Sequence, residues 1–198
     1  MNIVFDLGGV VFEWRPDAII RSVFDDSETQ NSARVNIFDH PDWIALDRGT
    51  IALDHAIDRG ATRTGLSRQD VERLMNEVPR SLAPIEETIE LIRTIRATDN
   101  KLFVLSNMSL ASITHLEQNH GIWDLFDGVV ISCRIQKVKP EIAIYEHLLA
   151  THGLEAAETV FIDDMNENLE AASSLGIQTI QFFDPSQCRE ALTTLGCM

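Results

Sequence analysis

The chain has no apolar run of 18 or more residues, so nothing in it is read as a membrane span. Its first residues pass straight into a strand-like run, without a basic leader or a small-residue cleavage pattern, and a cytoplasmic location is expected. Cysteine is scarce: Cys133, Cys188 and Cys197 are odd in number and lack a Cys-x-x-Cys spacing, which argues against a disulfide framework or a structural zinc site. Basic residues are also few, 16 Lys and Arg against 31 Asp and Glu. The resulting formal charge of −15 argues against a nucleic-acid partner, because contact with a phosphate backbone needs a basic surface. Any small anionic ligand must then be held by locally positive groups. The six histidines form no His-Glu-x-x-His pattern and pair with no nucleophile, and are expected at the surface or in a helical insertion. No internal repeat or low-complexity tract is present.

What the chain does have is a hydrophobic content of 44% over 198 residues, enough for one full core and a modest insertion. Residues 2–9, Asn2-Ile3-Val4-Phe5-Asp6-Leu7-Gly8-Gly9, form an apolar run that stops at a carboxylate and then at two glycines. The run reads as a buried parallel strand, and the carboxyl ends of such strands are where open α/β sheets place their ligands. Glycines just after Asp6 allow a sharp turn and close approach to a ligand. Three later segments repeat the logic: Lys101 to Asn107 ends an apolar run at Ser106 and Asn107; Val138-Lys139-Pro140-Glu141 places a cation before a helix; and Thr159 to Asp164 ends at paired carboxylates, with Asn168 four residues beyond. Adjacent acids repel unless a cation or a raised pKa relieves them, and a hard, oxygen-liganded ion such as Mg²⁺ is the usual relief.

Taken in order, strand-Asp, strand-Ser, Lys before a helix and strand-Asp-Asp resemble the four motifs of the haloacid dehalogenase-like (HAD) superfamily, over most of the chain. Phe5-Asp6-Leu7-Gly8-Gly9-Val10, Val104-Leu105-Ser106-Asn107, Lys139-Pro140-Glu141-x-x-Ile144-Tyr145 and Phe161-Ile162-Asp163-Asp164-x-x-x-Asn168 look most like subfamily IA. Within it the motifs are similar to the small sugar-phosphate phosphatases related to glucose-1-phosphate phosphatase and to the phosphatase domain of soluble epoxide hydrolase. The resemblance implies a Mg²⁺-dependent phosphatase acting on a small phosphorylated metabolite, with sugar phosphates among the candidates. It implies that Asp6 is the nucleophile, that Ser106, Asn107 and Lys139 hold the transferred group, and that Asp6, the Gly8 carbonyl and Asp164, with Asp163 beside it, serve the metal. One departure matters. Most phosphatases of the superfamily carry a second Asp two residues after the nucleophile as general acid and base, and here that position is Gly8. Glu13, Asp17 and Asp47 are the candidate substitutes, each with the alternative reading of an ordinary exposed carboxylate.

The expected fold is α/β, a Rossmann-like parallel sheet core formed by residues 1–15 and 82–198, with a small helical C1-type cap, residues 16–81, inserted after the first strand. Helical and strand patterns alternate after residue 84: helix Ile85 to Thr98, strand Lys101 to Ser106, helix Leu110 to His120, strand Val129 to Ser132, helix Glu141 to Thr151, strand Thr159 to Asp163, helix Asn166 to Leu175, strand Ile177 to Phe182 and helix Ser186 to Leu195. Residues 16–81 instead carry successive helical stripes, such as Ile19, Ile20, Val23 and Phe24, then Val71, Leu74 and Met75. Trp14, Trp43, Asp47, Arg48 and Gly49 are the positions of interest near the insertion, with Trp43 read as core and Arg48 as a solvated cation. Two other readings stand beside the phosphatase: a dehalogenase, whose halide leaving group needs neither proton nor Mg²⁺, and a catalytically weak phosphometabolite-binding protein that has lost its acid. The sequence carries no signal for oligomeric state.

Overall fold

The computed structural model describes residues 1–198. Five parallel strands, β1 (Asn2–Phe5), β2 (Lys101–Ser106), β3 (Gly128–Ile131), β4 (Thr159–Asp163) and β5 (Gln178–Gln181), lie in the order β3-β2-β1-β4-β5. Asn2 is in register with both Lys101 of β2 and Thr159 of β4, so β1 is central. Ile3, Val4 and Phe5 are fully buried, as expected of a strand covered by helices on both faces. Each such side chain contributes about 1.5–3 kcal/mol by leaving water. Successive connections depart to opposite sides of β1, and a crevice opens beyond its carboxyl end where they diverge.

The helices alternate with these strands: α6 (Glu86–Arg96), α7 (Leu110–Asn119), the short α8 (Ser132–Ile135), α9 (Ile142–His152), α10 (Asn166–Ser174) and α11 (Pro185–Thr194) follow five earlier ones. Those earlier helices are α1 (Pro16–Val23), α2 (Ser27–Ala33), which continues into a π-helical turn over Arg34–Phe38, α3 (Pro41–Arg48), α4 (Leu53–Thr64) and α5 (Arg68–Arg80). They gather a hydrophobic cluster of their own, including Ile19, Ile20, Leu74 and Val78. Against the sheet unit, α3 packs on α8 and α5 on α7.

Several element edges differ from the sequence reading for local reasons. The third strand runs over Gly128–Ile131, and Ser132 opens α8, because its hydroxyl accepts from the Met108 N–H at 2.9 Å and donates to the Asp47 carbonyl at 2.5 Å. Helix α9 starts at Ile142 because the Glu141 N–H donates to the Val138 carbonyl in a turn. Ile85 stands outside α6, its N–H given to the Val11 carbonyl at 2.8 Å. His120 and His152 are not free surface residues: their rings pack on Phe12 and Phe103, with centroids 5.0 and 5.1 Å apart. No helix is long and apolar enough to cross a membrane.

Candidate active site

Three strand ends and one loop deliver the polar groups. Asp6 follows β1, Ser106 ends β2, Asp163 ends β4, and Lys139 reaches in from the loop before α9. All four are buried, which is costly for three charged groups unless each is paired. They are paired. Lys139 Nζ lies 2.9 Å from Asp6 Oδ2 and 2.6 Å from Asp163 Oδ2. Asp6 Oδ1 also accepts the Leu7 N–H at 2.7 Å, and the Ser106 hydroxyl is directed at the same carboxylate.

Asp163 spends its four lone-pair directions inside the protein. Oδ2 takes Lys139 Nζ and Asn168 Nδ2 (3.1 Å), while Oδ1 takes Asn168 Nδ2 (3.0 Å) and the Met165 N–H (2.8 Å). Asn168 thus orients this loop, and its own carbonyl accepts from Tyr145 Oη at 2.9 Å. Asp164 is different: half-buried and unengaged by any side-chain hydrogen bond, it faces the cavity. It also explains Gly9. Gly9 has φ +80°, and a Cβ there would lie 2.6 Å from Asp164 Oδ2. Asn107 forms a two-point clamp on the Lys139 backbone, accepting its N–H at 2.8 Å and donating to its carbonyl at 2.9 Å. One amide hydrogen is left for a ligand.

Burial pushes the Asp6 carboxyl up to about 7; Lys139 opposes that shift and Asp163 adds to it. Burial and the neighbouring Asp163 also raise Asp164. For Lys139, burial works towards loss of its proton, but Asp6 and Asp163 outweigh it and the ammonium is held above its ordinary value. Three carboxylates therefore share one ammonium, with an oxygen of each within 4.8 Å of the others. A hard divalent cation fits this donor set, since it supplies the missing positive charge to all-oxygen ligands.

The group meets a cavity of about 280 Å³ whose far walls are Trp14, Trp43, Ile44, Val78, Leu82, Met108 and Met165. Trp43 is half-buried, packs on Phe38 at 4.6 Å and Trp14 at 5.6 Å, and faces this cavity as well as the helical cluster. Arg48, read as solvated, forms a bidentate pair with Glu141 at 2.8 and 2.6 Å, joining α3 to the segment before α9. Of the three substitute acids, Glu13 turns to Arg15 at 2.8 Å and Asp17 to Arg34 at 3.5 Å, both away from the site. Asp47 is buried and lines the cavity together with Asp6. Sequence reasoning had one signal for it: a carboxylate in an otherwise apolar stretch, Trp43 to Leu46, near the end of a helix.

Residues 51–182 match the model of the haloacid dehalogenase-like hydrolase family. The chain is 28% identical over 195 residues to a sesquiterpene phosphatase of Aspergillus oryzae, covering 98% of this chain and 96% of that protein. It is 24% identical over 208 residues to a D-ribitol-5-phosphate phosphatase of Bacteroides thetaiotaomicron, covering 98% and 97%. Among solved structures, a predicted HAD-like family hydrolase of Porphyromonas gingivalis superposes with a TM-score of 0.77 at 26% identity, covering 98% of this chain and 96% of the other.

Proposed function

The chain belongs to the haloacid dehalogenase-like hydrolase family and is a phosphoric monoester hydrolase, and from that premise we propose that it works through an aspartyl-phosphate on Asp6 in a Mg²⁺-dependent reaction. The observation that carries the reading is the placement of the Asp6 carboxylate at the central strand end, 2.9 Å from the buried Lys139 ammonium and in reach of Ser106. An oxygen of Asp6 attacks phosphorus in line and the ester oxygen leaves; water then displaces Asp6 from the acyl phosphate. Lys139 and the Ser106 hydroxyl stabilise the charge that moves onto the phosphoryl oxygens. Asn107 and Asp163 hold Lys139 in place, one by its backbone and one by its ammonium. Asp6, the Gly8 carbonyl and Asp164 would hold Mg²⁺, which when bound offsets the repulsion between nucleophile and phosphoryl oxygens. Asp163, its lone pairs already engaged, serves that ion through the geometry of the loop. Halide displacement would leave the unpartnered Asp164 without a task.

The helices of residues 16–81 act as a cap that closes over the reacting group and excludes water. Apart from Asp47 their contribution to the cavity is apolar, Trp43, Ile44 and Val78, which line it together with Leu82, Met108 and Met165 of the sheet unit. A polyhydroxylated sugar would leave hydroxyls unpaired against such walls, so the lining favours the phosphate of a hydrophobic alcohol. The substrate of the Aspergillus oryzae relative, a sesquiterpene, has that character.

Phosphate release from a panel of phosphomonoesters, sugar and long-chain alkyl, measured with Mg²⁺ or with EDTA for the wild type and Asp6→Asn, tests this. Release that needs both Mg²⁺ and Asp6, with alkyl esters preferred, is expected. Release by Asp6→Asn at the wild-type rate would overturn the mechanism, and a preference for sugar phosphates would overturn the substrate class.

A further inference from the structure

With Gly8 where relatives of this superfamily carry an acid, the proton for the departing alcohol needs another source. Four carboxylates line the cavity: Asp6, Asp164, Glu167 and Asp47. Asp6 is the nucleophile, Asp164 belongs to the cation site, and Glu167 is exposed at the rim. Asp47 is 8% exposed, belongs to α3 and lines the same cavity as Asp6 and Lys139, into which a leaving group in line with Asp6 would depart. Its position is fixed from three directions. The Asp47 carbonyl accepts from Ser132 Oγ at 2.5 Å, the next residue, Arg48, pairs with Glu141, and Gly49 (φ +76°) sits so close to α8 that a Cβ would lie 2.5 Å from the Cys133 carbonyl. The Ser109 N–H and the Trp43 indole N–H are directed at its carboxyl group.

We propose that Asp47 is the general acid and base of this enzyme, supplied by the cap in place of the side chain that Gly8 lacks; the proposal rests on the aspartyl-phosphate reading above. As Asp6 forms its bond to phosphorus, the bond from phosphorus to the ester oxygen breaks, its electron pair stays on that oxygen, and the Asp47 proton transfers to it. The alcohol departs. The Asp47 carboxylate then takes a proton from the water whose oxygen attacks phosphorus, the bond to Asp6 breaks, and Asp47 is protonated again for the next cycle. A group with this task must carry its proton near neutral pH, and burial pushes Asp47 up to about 7, with Ser109, Trp43 and Lys139 opposing and Asp6 assisting. The titratable groups that act on it are Asp6 and Lys139 from the sheet unit and Cys133 from α8.

The test uses the full chain with Mg²⁺ and two probes, p-nitrophenyl phosphate, whose leaving group needs little proton assistance, and octyl phosphate, whose leaving group needs much. Asp47→Asn is expected to lower kcat/KM, which reads the step that releases the alcohol, about 10²- to 10³-fold for octyl phosphate and no more than about threefold for p-nitrophenyl phosphate, while kcat, which includes hydrolysis of the shared aspartyl-phosphate, falls for both. Gly8→Asp added to Asp47→Asn is expected to restore much of the octyl phosphate rate, since a Cβ at Gly8 meets only Trp14 at an ordinary 3.7 Å. Equal losses of kcat/KM on both esters, or none on either, would overturn the role of Asp47. Should Asp47→Asn fail to fold, wild-type pH profiles decide: a fall in octyl phosphate kcat/KM as pH rises above about 7 that p-nitrophenyl phosphate does not share supports the proposal, and parallel profiles overturn it. Asp6→Asn keeps the two ideas apart, because activity surviving that change removes the aspartyl-phosphate whatever Asp47 does.

Discussion

The two walls of the catalytic cavity are built on opposite principles. The sheet wall is saturated with polar contacts: Lys139, Asp6 and Asp163 hold one another within hydrogen-bond distance, with Asn107 and Asn168 behind them. The cap wall is apolar, made of Trp43, Ile44 and Val78, and carries the single buried carboxylate Asp47. A phosphoryl group is the same in every phosphomonoester, so the groups that hold it can be fixed in rigid strand ends. The alcohol varies, and in the proposed reading it meets the helices of residues 16–81, which pack on the sheet unit through α3 on α8 and α5 on α7. In the proposed mechanism the phosphoryl-holding groups thus come from one wall, while the second supplies both the fit of the alcohol and the proton donor Asp47.

Breaking the sheet wall should cost most. Lys139→Met is expected to lower turnover of both probe esters by about 10³-fold or more, since it removes the ammonium that neutralises the phosphoryl oxygens. It also leaves Asp6 and Asp163 buried without their cation, a loss of about 3–5 kcal/mol that urea titration at pH 8 would read. A variant as stable as the wild type would show that the ion pairs hold nothing together. Gly9→Ala acts on the same wall more gently: its methyl group displaces Asp164 and strains a positive φ, and the Mg²⁺ concentration for half-maximal activity should rise about 10- to 100-fold. An unchanged Mg²⁺ requirement would separate Asp164 from the metal.

On the cap wall the sign reverses. The Asp47 carboxyl rises from 3.8 to about 7 on folding, so between those values the folded chain holds a proton that the unfolded chain has released, and the contribution of Asp47 to stability falls as pH increases. Asp47→Asn should therefore stabilise the protein at pH 8 by on the order of 1–3 kcal/mol and have little effect at pH 4. Denaturant midpoints at the two pH values check this, and destabilisation at pH 8 would show a structural carboxylate rather than one kept for chemistry. Smallest is Arg48→Met. The Arg48–Glu141 pair is 27% and 47% exposed, so its loss should cost under about 1 kcal/mol in melting experiments. The same variant loosens α3 over the cavity and should raise KM more than it lowers kcat; an effect confined to kcat would place Arg48 in the chemistry.

The sheet wall was legible in the sequence because its information is local. An apolar run that ends in Asp6, Ser106 or Asp163 announces both a buried strand and a polar group at its carboxyl end, and parallel pairing then brings those ends together. The departures from the expected element edges come from one or two hydrogen bonds each, such as those by which Ser132 bridges Met108 and Asp47, residues far from it in the chain. The cap wall was hardly legible at all. Beyond the apolar neighbours of Asp47, little in the sequence separates Glu13, Asp17 and Asp47; in the structure Glu13 pairs with its neighbour Arg15 and Asp17 with Arg34, whereas Ser132, Glu141 and Cys133 fasten the chain around Asp47.

By itself, then, the sequence determined the alternating α/β order and the identity of the polar groups at the strand ends, since burial on two faces and the chemistry of a strand end both follow from residues within a few positions of one another. Only the tertiary structure decided that Asp163 is occupied while Asp164 has no side-chain partner, that Asn107 clamps the Lys139 backbone, that Trp43, Ile44 and Val78 line the cavity, and that Asp47 lines it together with Asp6. Those are relations between residues tens of positions apart, and their free energies depend on burial and distance, which exist only once the chain has folded.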